Sequence, residues 1–192
     1  MQKELPSTAL ALKRQDALGL AEYFADRIIK GAEHMSAESD LHTGPNSGVA
    51  PEIYEIFLFG STADTNVRDV HDVDLMVIDN TYYSRHFEPP RGFESWYEHL
   101  SGNLAALLSR LGYQEQEGRK LCNFHVDLHV LPLSVLLDKD FRFAMGSRHK
   151  DPQFFKNCFS VIMRFDQASR SFVRVTIEEL ERKYNTDLTD LR

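Results

Sequence analysis

The sequence predicts a protein of the α/β (α+β) class, in which helices pack on a β-sheet. Segments with apolar residues at helical spacing alternate along the chain with short runs of β-branched and aromatic residues. Apolar residues make up 42% and charged residues 27% of the 192, which is typical of a globular protein. Since no repeat or change of composition divides the chain, we expect a single domain over residues 1–192, with a core over 9–131 and a C-terminal extension over 132–192 that holds a strand and a helix.

The charge and the cysteine content narrow the classes of function. The 22 Lys and Arg against 29 Asp and Glu give a formal charge of −7, which disfavours the binding of long nucleic acid through a basic surface. Cys122 and Cys158 are too few for a disulfide framework, so we expect both to be reduced and buried. The sequence has no apolar run of about 18 residues and no signal-peptide pattern. We therefore expect a cytoplasmic protein without a membrane segment.

The first half of the chain is expected to form a helix, a loop and two strands. Apolar residues recur at helical spacing over residues 9–35, and the Gly, Pro, Ser and Asn residues of 36–51 indicate a loop. The apolar run Ile53–Phe59 is typical of a buried strand, which Gly60 ends. A second strand is expected over residues 73–78.

The second half is expected to add helices and at least one more strand. An aromatic, proline-containing loop covers residues 79–92, and leucines at helical spacing predict a helix over 93–111 that ends at Gly112. A strand is expected over 121–131, ended by Pro132, and a short helix over 133–138. The stretch over 154–175 is unassigned except for a strand-like end at 171–175. The capping box Thr176–Glu179 opens a last helix, which ends near Tyr184.

Two aspartates stand at the start of the second predicted strand. Because side chains alternate along a strand, Asp72 and Asp74 point to the same face. Two carboxylates a few ångströms apart beside an apolar core repel each other, and one must take a proton unless a cation compensates. Oxygen ligands of this kind suit Mg²⁺ or Mn²⁺, so both residues are candidate metal ligands.

A third aspartate lies within the apolar strand predicted over 121–131. An Asp in such a strand is unusual unless it is paired or bound to a metal. If the two strands are neighbours, Asp127 joins the face of Asp72 and Asp74. Carboxylates that share two metal ions suit phosphoryl transfer, in which Asp127 would bind metal and accept the proton of the attacking hydroxyl.

The Gly60-Ser61 pair is a candidate phosphate-binding turn. It follows a strand and is expected to open a short helix, where glycine lets the backbone approach a phosphate and free N–H groups favour anions. The Ser61 hydroxyl can donate to a phosphate oxygen. Ten residues, 62–71, separate Ser61 from Asp72, which is enough for a short helix and a return turn that bring the phosphate beside the metals.

Four features together resemble the nucleotidyltransferase superfamily typified by DNA polymerase beta and its minimal bacterial relatives. They are a Gly-Ser turn, ten intervening residues, Asp-x-Asp with an apolar continuation, and a third Asp on a later strand. The resemblance covers roughly residues 53–131. It implies a mixed sheet flanked by helices. It also implies metal-dependent transfer of a nucleoside monophosphate from an NTP, with ATP favoured, to a hydroxyl of a protein, a small molecule or an RNA end, with release of pyrophosphate.

The resemblance implies that Gly60, Ser61 and Thr62 bind the nucleotide. The sequence departs from the commonest family pattern at three positions around this turn. Thr62 stands where many members have Arg, Thr65 where Gly is common, and His71 where Ser often precedes the first Asp. These differences concern how the phosphates are held and not the three aspartates.

Other residue groups allow two interpretations each. His125, Asp127 and His129 share one strand face and form a possible zinc site, although one of the histidines more often orients Asp127 or the acceptor. The aromatic loop 81–87 with Trp96 and Tyr97 covers the core or forms a wall of the acceptor pocket. Arg68 is a solvated residue and His71 a turn residue, or either contacts phosphate. The basic cluster of Arg142, Arg148, His149 and Lys150 is part of the surface, or it holds phosphates or a nucleic-acid end.

Two alternative functions remain beside the enzymatic one. Minimal nucleotidyltransferases resemble antitoxins that bind or adenylylate a helical toxin, and residues 152–192 would then be the partner surface. A degenerate member would bind a nucleotide without turnover, because a fold does not guarantee activity.

Overall fold

The computed structural model of the protein describes residues 10–39, 52–79, 104–115, 121–148 and 153–192. These ranges contain seven strands, which are β1 (Leu12–Lys13), β2 (Ile53–Phe59), β3 (Asp69–Val70), β4 (Asp72–Asp79), β5 (His125–Pro132), β6 (Met163–Asp166) and β7 (Ser171–Arg174). They also contain seven α-helices, which are α1 (Arg14–Ser39), α2 (Gly60–Ala63), α3 (Leu104–Arg110), α4 (Ser134–Leu137), α5 (Lys139–Arg148), α6 (Phe154–Ser160) and α7 (Ile177–Tyr184). Across the same ranges, no helix has the length and apolar character that crossing a bilayer would need.

Five of the strands form one sheet, in the order β5-β4-β2-β6-β7. β4 and β5 run parallel, whereas β2 is antiparallel to both β4 and β6, and β6 is antiparallel to β7. The sheet is therefore mixed and packed by helices, which confirms the predicted α/β (α+β) class. β1 and β3 form a separate two-stranded pair.

The central strand β4 separates two apolar cores, because its side chains alternate between the faces of the sheet. Val73 and Leu75 face the first core, which α1 and α3 complete. Met76 faces the second core, which helices α4 to α7 complete. At the beginning of β4, Asp72 and Asp74 share the face of the second core but precede its apolar residues.

The elements of the first half agree with the predicted types but differ in their bounds. The helix predicted over 9–35 begins only at Arg14 and ends at Ser39, because Leu12 and Lys13 pair with β3 instead. The loop predicted over 36–51 starts correspondingly later, and its residues 40–51 lie outside the described ranges. The strand Ile53–Phe59 is confirmed, and β4 extends the predicted strand by one residue at each end.

Between β4 and β5 the structure describes only part of what was expected. The loop over 80–92 and the first part of the helix predicted over 93–111 lie outside the described ranges, whereas α3 confirms the end of that helix. Gly112 adopts φ +88° directly after it, as expected of a residue that ends a helix. The strand predicted over 121–131 is wrong at its start, because Leu121–Asn123 form a 3-10 turn and β5 begins at His125.

The C-terminal extension contributes two strands, not one. The stretch over 154–175 that the sequence left unassigned forms α6, β6 and β7, and β6 pairs with the core strand β2. The boundary predicted at 131/132 falls within β5. The short helix expected over 133–138 is confirmed as α4, and α5 follows it without a sequence signal. The capping box of α7 is confirmed, since the Thr176 hydroxyl accepts from the backbone N–H of Glu179 and the Glu179 carboxylate accepts from that of Thr176.

Candidate functional site

The candidate site begins where β2 ends. Phe59 is extended, and Gly60 then adopts φ +70°, a left-handed conformation that side chains disfavour. A Cβ at Gly60 would overlap Oδ2 of Asp74 and lie 3.4 Å from its Cγ. The backbone of α2 therefore packs directly against the Asp74 carboxylate, and only glycine leaves room for this contact.

The parallel pairing of β4 and β5 brings the three predicted aspartates together. Asp74 is paired with Asp127 in the register, and Asp72 is paired with His125. Paired residues of neighbouring strands point to the same face, so the carboxylates of Asp72, Asp74 and Asp127 lie on one side of the sheet. Asp72 and Asp74 are half-buried, whereas Asp127 is exposed.

Electrostatic coupling within this group is strongest at Asp74. Burial, together with the negative charges of Asp72 and Asp127, raises the pKa of Asp74 from 3.8 to about 6. The coupling shows that the three carboxylates are near enough to repel one another. A divalent cation bound among them would remove this repulsion, and carboxylate oxygens are the donors that Mg²⁺ and Mn²⁺ prefer.

The aspartates converge without forming a closed ligand cage. In the part of the chain that the structure describes, no three or more His, Cys, Asp or Glu side chains are gathered closely enough to hold a metal ion. The carboxylate oxygens of Asp72, Asp74 and Asp127 fit a hard divalent cation by their chemistry, but their positions do not form a complete site. The metal-ligand roles therefore remain predictions.

Ser61 and Thr62 lie differently in the turn that follows Gly60. The Ser61 hydroxyl is half-buried and lies 3.5 Å from Oδ1 of Asp72, to which it donates. Thr62 is only 1% exposed, and its hydroxyl donates to the backbone carbonyl of Asp72 at 3.0 Å. The Thr62 side chain thus points into the protein, so any contact of Thr62 with a nucleotide would have to come from its backbone.

The two histidines of β5 have different surroundings. His125 is exposed opposite Asp72. His129 lies between two aromatic rings, with its ring centre 5.5 Å from that of Phe59 and 5.6 Å from that of Phe154. His129 therefore belongs to an aromatic cluster that adjoins the aspartates, and this packing does not favour the zinc interpretation.

The residues before β4 contact the N-terminal segment. The His71 side chain lies with Nδ1 3.4 Å from the carbonyl oxygen of Leu10, and Arg68 is exposed. The backbone N–H of Arg14 donates to the carbonyl of Arg68 at 2.9 Å. This contact of residues 10–14 with the chain before Asp72 had no sequence signal.

The basic cluster predicted at the surface is wrong for Arg142. Arg142 is 2% exposed, and its guanidinium forms two hydrogen bonds with the carboxylate of Asp190, at 2.6 and 2.9 Å. It also donates to the carbonyl of Val135 at 3.1 Å. Burial of an arginine in this way requires a partner carboxylate, which comes from a distant part of the chain. His149 and Lys150 lie outside the described ranges, as does the side chain of Arg148.

Two further expectations have partial outcomes. Cys158 is buried and reduced, as expected, whereas the side chain of Cys122 is not described. The aromatic residues 81–87, Trp96 and Tyr97 lie outside the described ranges.

Known proteins provide no relative from which the site could be assigned. Comparisons with protein-family models, with curated proteins and with solved structures found no match to this chain. The chemistry of the site is therefore inferred from its own residues, which are three convergent carboxylates and a glycine turn packed on one of them.

Proposed function

We propose that the protein is a metal-dependent nucleotidyltransferase, which transfers a nucleoside monophosphate from an NTP, with ATP favoured, to a hydroxyl acceptor and releases pyrophosphate. The observation that supports this most is the register of β4 and β5. This register sets Asp127 beside Asp74, which follows Asp72 by two residues in β4. Asp74 is also paired with Phe59, the last residue of β2 before the Gly60 turn. Carboxylates for metal and a turn for phosphate thus meet at one place.

Each residue of the site has a role that its surroundings favour. The half-buried Asp72 and Asp74 would hold Mg²⁺ or Mn²⁺, which, when bound, neutralises the triphosphate and makes the acceptor hydroxyl more acidic. Asp127 is the exposed member of the three, so an acceptor can reach it. Its carboxylate would bind metal and accept the hydroxyl proton.

The Gly60-Ser61 turn would hold the nucleotide phosphates. The absence of a side chain at Gly60 lets the backbone come close to a phosphate oxygen, just as it comes close to the Asp74 carboxylate. The Ser61 hydroxyl, next to Asp72, can donate to the same group. The formal charge of −7 is no obstacle to this function, because bound cations supply the positive charge that a polyphosphate needs.

A label-transfer screen tests the proposal. The purified protein is incubated with Mg²⁺, cell lysate and each nucleoside triphosphate labelled at the α-phosphate, in parallel with Asp72→Asn and with Asp69→Asn, an exposed aspartate three residues earlier. We expect transfer of label by the wild type and by Asp69→Asn, and at least a hundredfold less by Asp72→Asn, since the amide is a poor metal ligand.

The other possible outcomes overturn the proposal in distinguishable ways. Binding of ATP without label transfer would indicate a degenerate nucleotide-binding protein. Co-purification of a small helical protein that Asp72→Asn leaves unchanged, again without transfer, would indicate an antitoxin-like binding partner.

A further inference from the structure

The Thr62 hydroxyl connects the glycine turn to the first metal-binding position. Thr62 belongs to α2, one residue after Ser61, and its hydroxyl donates to the carbonyl oxygen of Asp72 at 3.0 Å. The Thr62 residue is 1% exposed, which limits the access of water to its hydroxyl. This hydrogen bond thus joins the turn to the beginning of β4, ten residues later in the sequence.

This hydrogen bond takes the place of a missing strand partner. The pairing of β2 with β4 ends at Phe59 and Asp74, so β2 does not reach Asp72 on that side. A carbonyl at the end of a ladder needs another donor where the protein shields it from water. The Thr62 hydroxyl provides that donor, and the Asp72 backbone is held where its carboxylate faces Ser61.

The outer part of the same segment is fixed independently. We call residues 64–71, between α2 and β4, the spacer. The strand β3 lies within the spacer and pairs with β1 of the N-terminal segment. The backbone N–H of Arg14 also donates to the Arg68 carbonyl at 2.9 Å. The N-terminal segment thus holds the middle of the spacer from outside, while the Thr62 hydrogen bond, beside the longer one from Ser61 to Asp72, holds its two ends together.

We propose that Thr62 is a positioning residue, whose hydroxyl fixes the phosphate-binding turn relative to the metal-binding strand. This inference rests on the proposed function for its catalytic consequence, but the positioning itself is a property of the fold. Thr62 would therefore act through Asp72 and the turn, without touching the nucleotide through its side chain.

Thr62→Val and Thr62→Ser test the inference as a matched pair. Valine keeps the shape of threonine and removes the hydroxyl, which leaves the buried Asp72 carbonyl without this donor, whereas serine keeps it. We expect Thr62→Val to raise the KM for the NTP about tenfold, the effect of losing one buried hydrogen bond, and Thr62→Ser to stay within about twofold of the wild type. Thr189→Val, at an exposed threonine near the C-terminus, is the control and should leave KM unchanged.

Hydrogen exchange supplies a readout that does not depend on activity. The backbone N–H of Asp64 donates to the Gly60 carbonyl at 3.3 Å across α2. We expect this amide to exchange about tenfold faster in Thr62→Val than in the wild type and in Thr189→Val. If the wild type neither binds nor turns over a nucleotide, the proposed function fails, and the exchange rate of Asp64 still decides the inference about Thr62.

Two results would overturn the inference. One is an Asp64 amide that exchanges at the wild-type rate in Thr62→Val. The other is an equal change of KM in Thr62→Ser and in Thr62→Val. Because serine keeps the hydroxyl, an equal change would indicate that Thr62 acts through packing alone and not through its hydrogen bond. Should Thr62→Val fail to fold, Thr62→Ala removes the same hydroxyl without adding a methyl group and is read by the same two measurements.

Discussion

Replacing Asp74 by asparagine is expected to stabilise the metal-free protein at pH 8 and to abolish transfer. Asp74 is half-buried, lies beside Asp72 and Asp127, and is packed against the backbone of Gly60. Asparagine has nearly the same shape but no charge. The substitution therefore removes the burial cost of the carboxylate and its repulsion by two neighbours, together with one of the proposed metal ligands.

The magnitude follows from the pKa of Asp74. The difference between the ordinary value of 3.8 and about 6 corresponds to about 3 kcal/mol. Solvent screens a partly exposed group, which reduces this to about 1–2 kcal/mol. Since the folded protein holds this proton more tightly than the unfolded chain, the contribution of Asp74 to stability falls as the pH rises from about 4 to about 6 and stays low above that.

Thermal unfolding in the presence of a chelator measures the effect. For a protein of 192 residues, we expect Asp74→Asn to raise Tm by about 2–6 °C at pH 8 and by about half as much at pH 5, where most folded molecules already hold the proton. Asp69→Asn removes an exposed charge close by in sequence and should change Tm by less than about 1 °C. An unchanged or lower Tm for Asp74→Asn at pH 8 would refute the electrostatic reasoning.

Three further substitutions test the turn and the C-terminal region. Gly60→Ala places a methyl group against the Asp74 carboxylate at φ +70°; it should cost about 1–2 kcal/mol of folding free energy and displace that carboxylate, so that NTP transfer is lost. Asp190→Ala leaves the buried Arg142 guanidinium without its counter-charge and should lower the free energy of unfolding in urea by about 2–3 kcal/mol. Thr176→Ala removes the capping box of α7 and should cost about 1 kcal/mol, or a Tm about 2–4 °C lower.

Each of these has its own contradicting result. Gly60→Ala with wild-type transfer would show that the close approach of the turn is not needed, and Thr176→Ser should keep the stability that alanine loses. For Asp190, burial opposes ionisation, but the hydrogen bonds and charge of Arg142 lower the pKa of the carboxyl. The pair therefore stabilises the fold above pH 4 and is lost in more acidic solution. A wild-type unfolding curve for Asp190→Ala would contradict this account.

The residues of the candidate site could be singled out from the sequence because they break a simple pattern. Asp72, Asp74 and Asp127 interrupt apolar strands, and the alternation of side chains along a strand fixes which of them share a face. Gly60 was identifiable because a glycine directly after a buried strand indicates a tight turn. That β4 and β5 are neighbours had to be assumed, and the register that pairs Asp74 with Asp127 came only from the structure.

Contacts between distant residues could not be predicted in the same way. The strands β1 and β3 have two residues each, too few for a periodic pattern. Arg142 and Asp190 lie 48 residues apart, and nothing local shows that this arginine is buried. The inward orientation of Thr62 depends on how α2 meets the beginning of β4, whereas the sequence shows only a polar residue after Gly-Ser.

The fate of the ATP phosphates is the most direct test of the proposed reaction. Parallel reactions contain Mg²⁺, the lysate fraction that holds the acceptor, and ATP that carries its label either at the α- or at the γ-phosphate. We predict that only the α-label reaches the acceptor, with one pyrophosphate released for each transfer, and that a chelator or Asp127→Asn abolishes both. Transfer of the γ-label, or α-label transfer that persists in Asp127→Asn, would contradict nucleotidyl transfer by the three aspartates.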